Sequence, residues 1–201
     1  MTVATQKARQ AAATRSELVA VGRRLFAERG FAGTSTEEIV VQAGVTRGAL
    51  YYHFRNKEDL FRAVLAEIEE AVAEAMTAAS MAEPELFDGL VQGCGAFLDA
   101  CLDPAVQRIA LREAPAVLGW EAWRAIGAEH RFGLMATGLQ WTMIAGEISD
   151  QPAAPLAHML LGALHEGALY IAAADDPAVA RAEVGGIVRR LLDGLRPPAG
   201  P

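Results

Sequence analysis

Ala43-Gly44-Val45-Thr46-Arg47-Gly48-Ala49-Leu50-Tyr51-Tyr52-His53-Phe54-Arg55-Asn56-Lys57-Glu58-Asp59-Leu60 is the stretch on which the fold turns. Gly44 permits a tight turn. Thr46 is a preferred helix N-cap, which predicts a short helix from Arg47 to about His53. Asn56 caps the next helix, opened by Lys57, Glu58 and Asp59. Just upstream, Ser35 and Glu38 form a capping-box pattern that opens a helix ending near Ala43. Two short helices joined at a glycine turn make a helix-turn-helix. Leu50, Phe54, Ile39, Val45 and Phe26 are the expected core of this unit.

Working outward, Leu18, Val21, Leu25 and Phe26 repeat at helical spacing. They predict a first helix over 14–29, with Thr14 as N-cap, Glu17 completing a capping box, and Gly30 as the stop. Residues 1–13 are expected to be a flexible arm, with Lys7 and Arg9 available to DNA phosphate. The helix that begins at Lys57 should continue to about Ser80. Beyond it, Pro84, Pro104, Pro155 and Pro177 mark helix starts, and Pro115, Gly119, Pro152 and the 197–198 prolines mark breaks. Long helices are expected over 120–147, 155–174 and 177–195. No segment reads as a strand and no repeat is present. The expected fold is all-α, with about nine helices in this division: arm 1–13, helix-turn-helix domain 14–60, helical body 61–196, and tail 197–201.

Composition supports a packed helical protein. Apolar residues make up 52% and charged residues 21% of 201, enough for a core. The net charge of −7 argues against nucleic acid until its distribution is examined. Residues 1–62 hold ten Lys and Arg against six Asp and Glu; the remainder holds eight against nineteen. A basic head on an acidic body is the electrostatic footprint of a small nucleic-acid-binding module. No apolar run is expected to reach the roughly 18 residues of a membrane span, and the N-terminus lacks the apolar segment of a secretory signal. A cytoplasmic protein is expected.

The segment from Leu18 to Phe61 closely resembles the DNA-binding domain of the TetR family. The shared pattern is a glycine-ended first helix, a Thr34-Ser35…Ile39 second helix, and Ala43-Gly44-Val45-Thr46 running through Gly48, Leu50, Tyr51, His53, Phe54, Lys57 and Glu58. In the body, Ala114-Pro115-Ala116-Val117-Leu118-Gly119-Trp120-Glu121-Ala122-Trp123-Arg124 is similar to a stretch seen in some members. The resemblance implies a transcription regulator, by family habit a repressor. It would act as a homodimer on a palindromic double-stranded DNA operator and be released by a small-molecule effector that shifts the fourth helix and spreads the heads. Half-sites would lie a helical turn or more apart, about 34–36 Å. The helices over 155–174 and 177–195 are expected to dimerise, with Gly162, Gly167, Gly185 and Gly186 allowing close packing.

The residues also carry their own physical reading. Arg47 is placed to pair bidentately with guanine. Gly48 lets the backbone approach DNA. Tyr51 and Tyr52 offer hydroxyls to phosphate and rings to thymine methyls, and His53 and Lys57 can meet phosphates. Thr36 opens a helix whose dipole and hydroxyl favour phosphate, and Thr46 caps the recognition helix. In the body, Phe97, Trp120, Trp123, Phe132, Met135 and Trp141 are candidate pocket linings, with His130, Arg131, Arg112 and Gln140 as polar anchors. The bland alternative is that these aromatic and Met residues are plain core.

Rival readings are an enzyme, a helical interaction module without DNA, and an activator of the same fold. No G-x-S-x-G, H-E-x-x-H or phosphate-binding glycine loop is present. No cofactor and no metal is expected; His158 and His165, seven apart, would share a metal only across a dimer axis. Cys94 and Cys101 are separated by about 10 Å of helical rise, too far for a disulfide. They are expected to be buried thiols, with a redox switch between subunits as the alternative.

Overall fold

The computed structural model describes residues 3–198; Met1, Thr2 and the last residues of the expected tail lie outside them. Nine helices form among the described residues. These are α1 (Val3–Arg29), α2 (Thr36–Gln42), α3 (Arg47–His53), α4 (Lys57–Met81), α5 (Leu86–Ala100), α6 (104–118), α7 (120–144), α8 (Ala153–Ala173) and α9 (Pro177–Asp193). Two are not uniform. α6 widens into a π-helical turn over Gln107–Glu113, and α7 does so over Ala128–Phe132.

The caps explain where the short helices begin. Ser35 Oγ accepts from the Glu38 N–H at 3.1 Å, Thr46 Oγ1 from Ala49 N–H at 3.1 Å, and Asn56 Oδ1 from Asp59 N–H at 2.8 Å. The capping box at Ser35 is only half closed, because the Glu38 carboxylate pairs with Arg29 instead. Gly30 ends α1 at φ +76° and Gly44 turns the chain at φ +63°, both left-handed conformations that suit glycine.

The arm expected over 1–13 is helical from Val3 onward. Ala8, Ala11, Ala12 and Ala13, interspersed with Lys7, Arg9 and Gln10, are strong helix formers with no breaker between them. Thr14 is therefore interior rather than a cap, and its hydroxyl donates back to the Gln10 carbonyl at 3.0 Å. Helix α6 also runs through the break expected at Pro115 to reach Leu118. Pro115 falls in the first turn after the π-helical widening, where its missing N–H costs little.

The head packs α1, α2 and α3 around Leu18, Leu25, Phe26, Ile39, Leu50 and Phe54, all buried. Phe61 from α4 closes it, meeting Phe26 and Phe31 edge-on with centroids 5.2 Å apart in both pairs. Each such ring contributes roughly 1.5–3 kcal/mol by burial. Helix α4 runs on into the body, packing chiefly on α5, and the core continues without a break through Leu65, Ile68, Val72 and Met76. Helix α6 joins body to head a second time. Glu113 Oε2 accepts from the Phe31 N–H at 2.7 Å, and Arg108 Nη1 donates to the Ala27 carbonyl at 3.1 Å.

Helix α8 is long and apolar, but His158, His165 and Glu166 interrupt it and it packs on α5, α7 and α9. Its exposed row of Met159, Ala163, Glu166 and Tyr170 lies beside exposed Val179, Ile187 and Leu191 of the neighbouring α9.

Candidate nucleic-acid interface and ligand cavity

Helix α3 turns its buried side, Leu50, into the head and presents Arg47, Gly48, Tyr51 and Tyr52 outward; Tyr52 is 77% exposed. A Cβ on Gly48 would meet only Thr46 Oγ1, at 3.8 Å, so the glycine leaves this face flat. The Arg47 guanidinium lies 5.6 Å over the Tyr51 ring and 3.4 Å from Glu37 Oε1. His53 is half-buried, its ring edge-on to Tyr52 at 4.9 Å. Thr36, in the first turn of α2, directs its hydroxyl at Glu37 Oε2, 3.2 Å away. An open depression of about 460 Å³ brings together Thr36, Tyr51, Asn56 and Lys57 with the loop 32–35.

Two features of this face were not anticipated. Glu37 stands against Arg47, and its carboxyl titrates below the usual range because backbone N–H and Thr36 hydroxyl donors stabilise the anion, helped by Arg47. Only the fold shows that neighbours on two helices meet. Lys57, expected at phosphate, uses its ammonium internally. It donates to the carbonyls of Phe31 at 2.7 Å and Thr34 at 2.8 Å, and lies 4.2 Å from the Phe31 ring centroid. One of its three N–H donors remains for other work.

In the body, a cavity of about 320 Å³ opens between α7 and α8. Trp120, Trp123, Phe132 and Arg131, all named from the sequence, line it. His130, Met135 and Trp141 do not: Met135 is core, Trp141 is exposed, and His130 is half-buried outside the lining. Arg131 lies four beyond Gly127, seven beyond Arg124 and eleven beyond Trp120, so helical periodicity returns it to the face that lines the cavity and leaves His130 off that face. Phe97 lies deeper, its ring 5.1 Å below the Arg131 guanidinium. Arg112 donates to the Ala172 carbonyl at 2.6 Å and does not line the cavity; nor does Gln140.

Helix α8 contributes the cavity residues that the sequence did not reveal: His158, Leu161, His165 and Glu166. His158 stacks on Phe132 at 4.4 Å and His165 tilts against Trp123 at 4.8 Å. Burial, and then Arg131, push the His165 pKa below the ordinary histidine value, with Glu166 opposing. No group of three metal-ligating side chains occurs among the described residues. Cys94 and Cys101 are buried thiols, pushed up to about 12 by desolvation.

A capped helix-turn-helix on a helical body with its own cavity defines a class, the DNA-binding regulators with a fused sensor domain. Residues 18–64 match the family described as bacterial regulatory proteins, tetR family, and residues 87–195 match the tetracyclin repressor-like C-terminal domain. The chain belongs to the TetR family of transcription regulators. A TetR-family regulator from Pectobacterium atrosepticum is 32% identical with a TM-score of 0.82, each chain covered completely. The regulator AcrR of Shigella flexneri is 40% identical over 36% of this chain, and that match spans only about a third (34%) of the relative's length. A structure of RolR with resorcinol shares the fold at 17% identity and a TM-score of 0.70, covering 96% of this chain and all of the other.

Proposed function

We propose that the protein is a cytoplasmic, ligand-responsive repressor that binds a palindromic operator as a homodimer and is released by a small-molecule inducer. The observation that carries this is the outward face of α3, where Arg47, Gly48, Tyr51 and Tyr52 stand free of the core behind a side-chain cap. Residues 14–60 are the reading head and 61–196 the sensing and dimerising body. Arg47 reads a base edge once it exchanges Glu37 for guanine. Tyr51, Tyr52 and Thr36 hold phosphate, while His53 and the third donor of Lys57 lie at the margin. The chain is not an enzyme on this reading.

The exposed apolar row shared by α8 and α9 is covered by a second copy, which sets two heads side by side. RolR in complex with resorcinol supports a small-molecule site in a body of this fold. The inducer acts by binding one disposition of the heads more tightly than the other, transmitted through α4 and the Glu113 contact.

Selection from a random duplex pool at physiological salt tests the reading. One palindrome should be enriched, and it should be lost with Arg47→Ala and Tyr51→Ala. A folded dimer that enriches nothing would defeat it.

A further inference from the structure

Arg131, which lines the cavity, forms a buried ion pair with Glu69 behind it, and reading DNA does not require that pair. Arg131 and Glu69 are 9% and 4% exposed. Arg131 Nη2 donates to Glu69 Oε1 at 3.2 Å. Its Nε lies 2.6 Å from Glu69 Oε2 but is misdirected, so it makes no hydrogen bond. No described residue accepts from Nη1. A guanidinium has five N–H donors in a fixed fork, and burying one is offset only where those donors find partners. Nε is buried against Glu69, so the spare donors are those of Nη1, on a residue that lines the cavity. Gly127 packs on the same group: a Cβ there would stand 2.7 Å from Arg131 Nη2.

The walls are flat and aromatic. Trp120 and Trp123 lie 4.8 Å apart, and Phe132 stacks on His158. Arg124 adds a second cation, 5.8 Å over Trp120. The charged side chains that line the cavity are two arginines and Glu166, with Glu69 behind Arg131 as its counter-ion. A cationic ligand would face both guanidiniums, and a neutral one would leave Arg131 under-satisfied. An apolar cavity of about 150 Å³ holds one benzene ring, so about 320 Å³ suits two fused rings or one substituted ring.

We propose that this cavity binds a planar aromatic acid, whose carboxylate accepts from Arg131 while its ring lies against the Trp123 and Phe132–His158 walls. This rests on the reading of the body as a sensor and names its ligand class. Glu69 lies on α4, the helix that begins in the head. A carboxylate that competes with Glu69 for Arg131 therefore bears directly on α4, which supplies the differential affinity an inducer needs.

The test titrates 2-naphthoate, and separately 2-naphthalenemethanol, into the full chain while tryptophan fluorescence is followed. Naphthoate should quench saturably and bind at least about tenfold tighter than the uncharged alcohol, the margin of one charge-assisted hydrogen bond. Arg131→Gln alone strands a buried Glu69, so the paired variant Glu69→Gln with Arg131→Gln is used beside it. With its melting curve confirming a folded chain, that variant should lose the preference. Equal affinity for acid and alcohol, no binding of either, or a preference that survives in the paired variant would each overturn the proposal. These readouts need no DNA, so they decide the ligand class even if the operator selection fails. Operator binding by the free chain, measured in parallel, shows whether the DNA-binding reading stands when the ligand class falls.

Discussion

Arg47 and Lys57 show how two cations of one motif part company once their surroundings are known. Arg47 is exposed and held only by Glu37 and a tyrosine ring. Lys57 ties the loop after α1 to the start of α4 through two carbonyls. Arg47→Ala should leave the melting temperature unchanged and weaken operator binding, measured by fluorescence anisotropy. Lys57→Met should cost about 2 kcal/mol of stability, from two hydrogen bonds to a charged donor. The slope of log affinity against log salt should stay where it was, because few phosphate contacts are lost. Glu37→Gln removes an anion from the DNA-facing surface and should tighten binding roughly two- to fivefold, as expected for an exposed pair. Cys94 and Cys101 should resist iodoacetamide at pH 8, with labelling seen by mass spectrometry only after denaturation, since thiols pushed up to about 12 offer almost no thiolate. His165 sets a pH dependence. Its folded pKa lies below the unfolded value of 6.5, so the unfolded chain binds the extra proton. Stability contributed by the neutral ring is complete above pH 6.5 and is lost as pH falls below it. The melting temperature of the wild type should therefore fall more steeply than that of His165→Gln between pH 7 and 5.5.

At the scale of elements, the head was legible and the body only in outline. Ser35, Thr46 and Asn56 announce their helices because capping is local chemistry, written within three residues of the cap. Thr46→Ala should accordingly cost about 1 kcal/mol of stability in a denaturant melt. Thr14 offered the same local pattern and misled, because the alanine-rich segment before it propagates helix across the cap position. The two π-helical turns have no such signature. They lie where α6 and α7 pack against α4 and each other. Trp123 of α7 ties to the first, its Nε1–H donating to the Ala110 carbonyl at 3.1 Å. The contributions of α8 to the cavity were hidden for a related reason. His158 and His165 sit on an apolar helix whose partners lie 25 to 45 residues away in sequence, and periodicity alone does not choose among its faces.

At the scale of the molecule, one chain leaves an apolar surface that needs covering. Met159, Tyr170, Ile187 and Leu191 are exposed on adjacent helices. Ile187→Glu with Leu191→Glu should convert a dimer to monomer in sedimentation velocity. It should weaken operator binding far more than the loss of any one DNA contact, since both half-sites are no longer read together. The single change of charge sign along the chain fits the same plan, because an acidic body is repelled by DNA while a basic head is drawn to it.

The bond between Glu113 and the Phe31 N–H, with that between Arg108 and the Ala27 carbonyl, joins body to head through main-chain groups on the head side. Every residue but proline carries the same N–H, and every residue the same carbonyl. At Ala27 and Phe31 these two contacts are therefore indifferent to side chain, and neither touches the recognition helix. A lineage can rewrite its recognition helix to suit a new promoter without retuning the joint, and heads transplanted between relatives at this boundary should still answer to the recipient's effector.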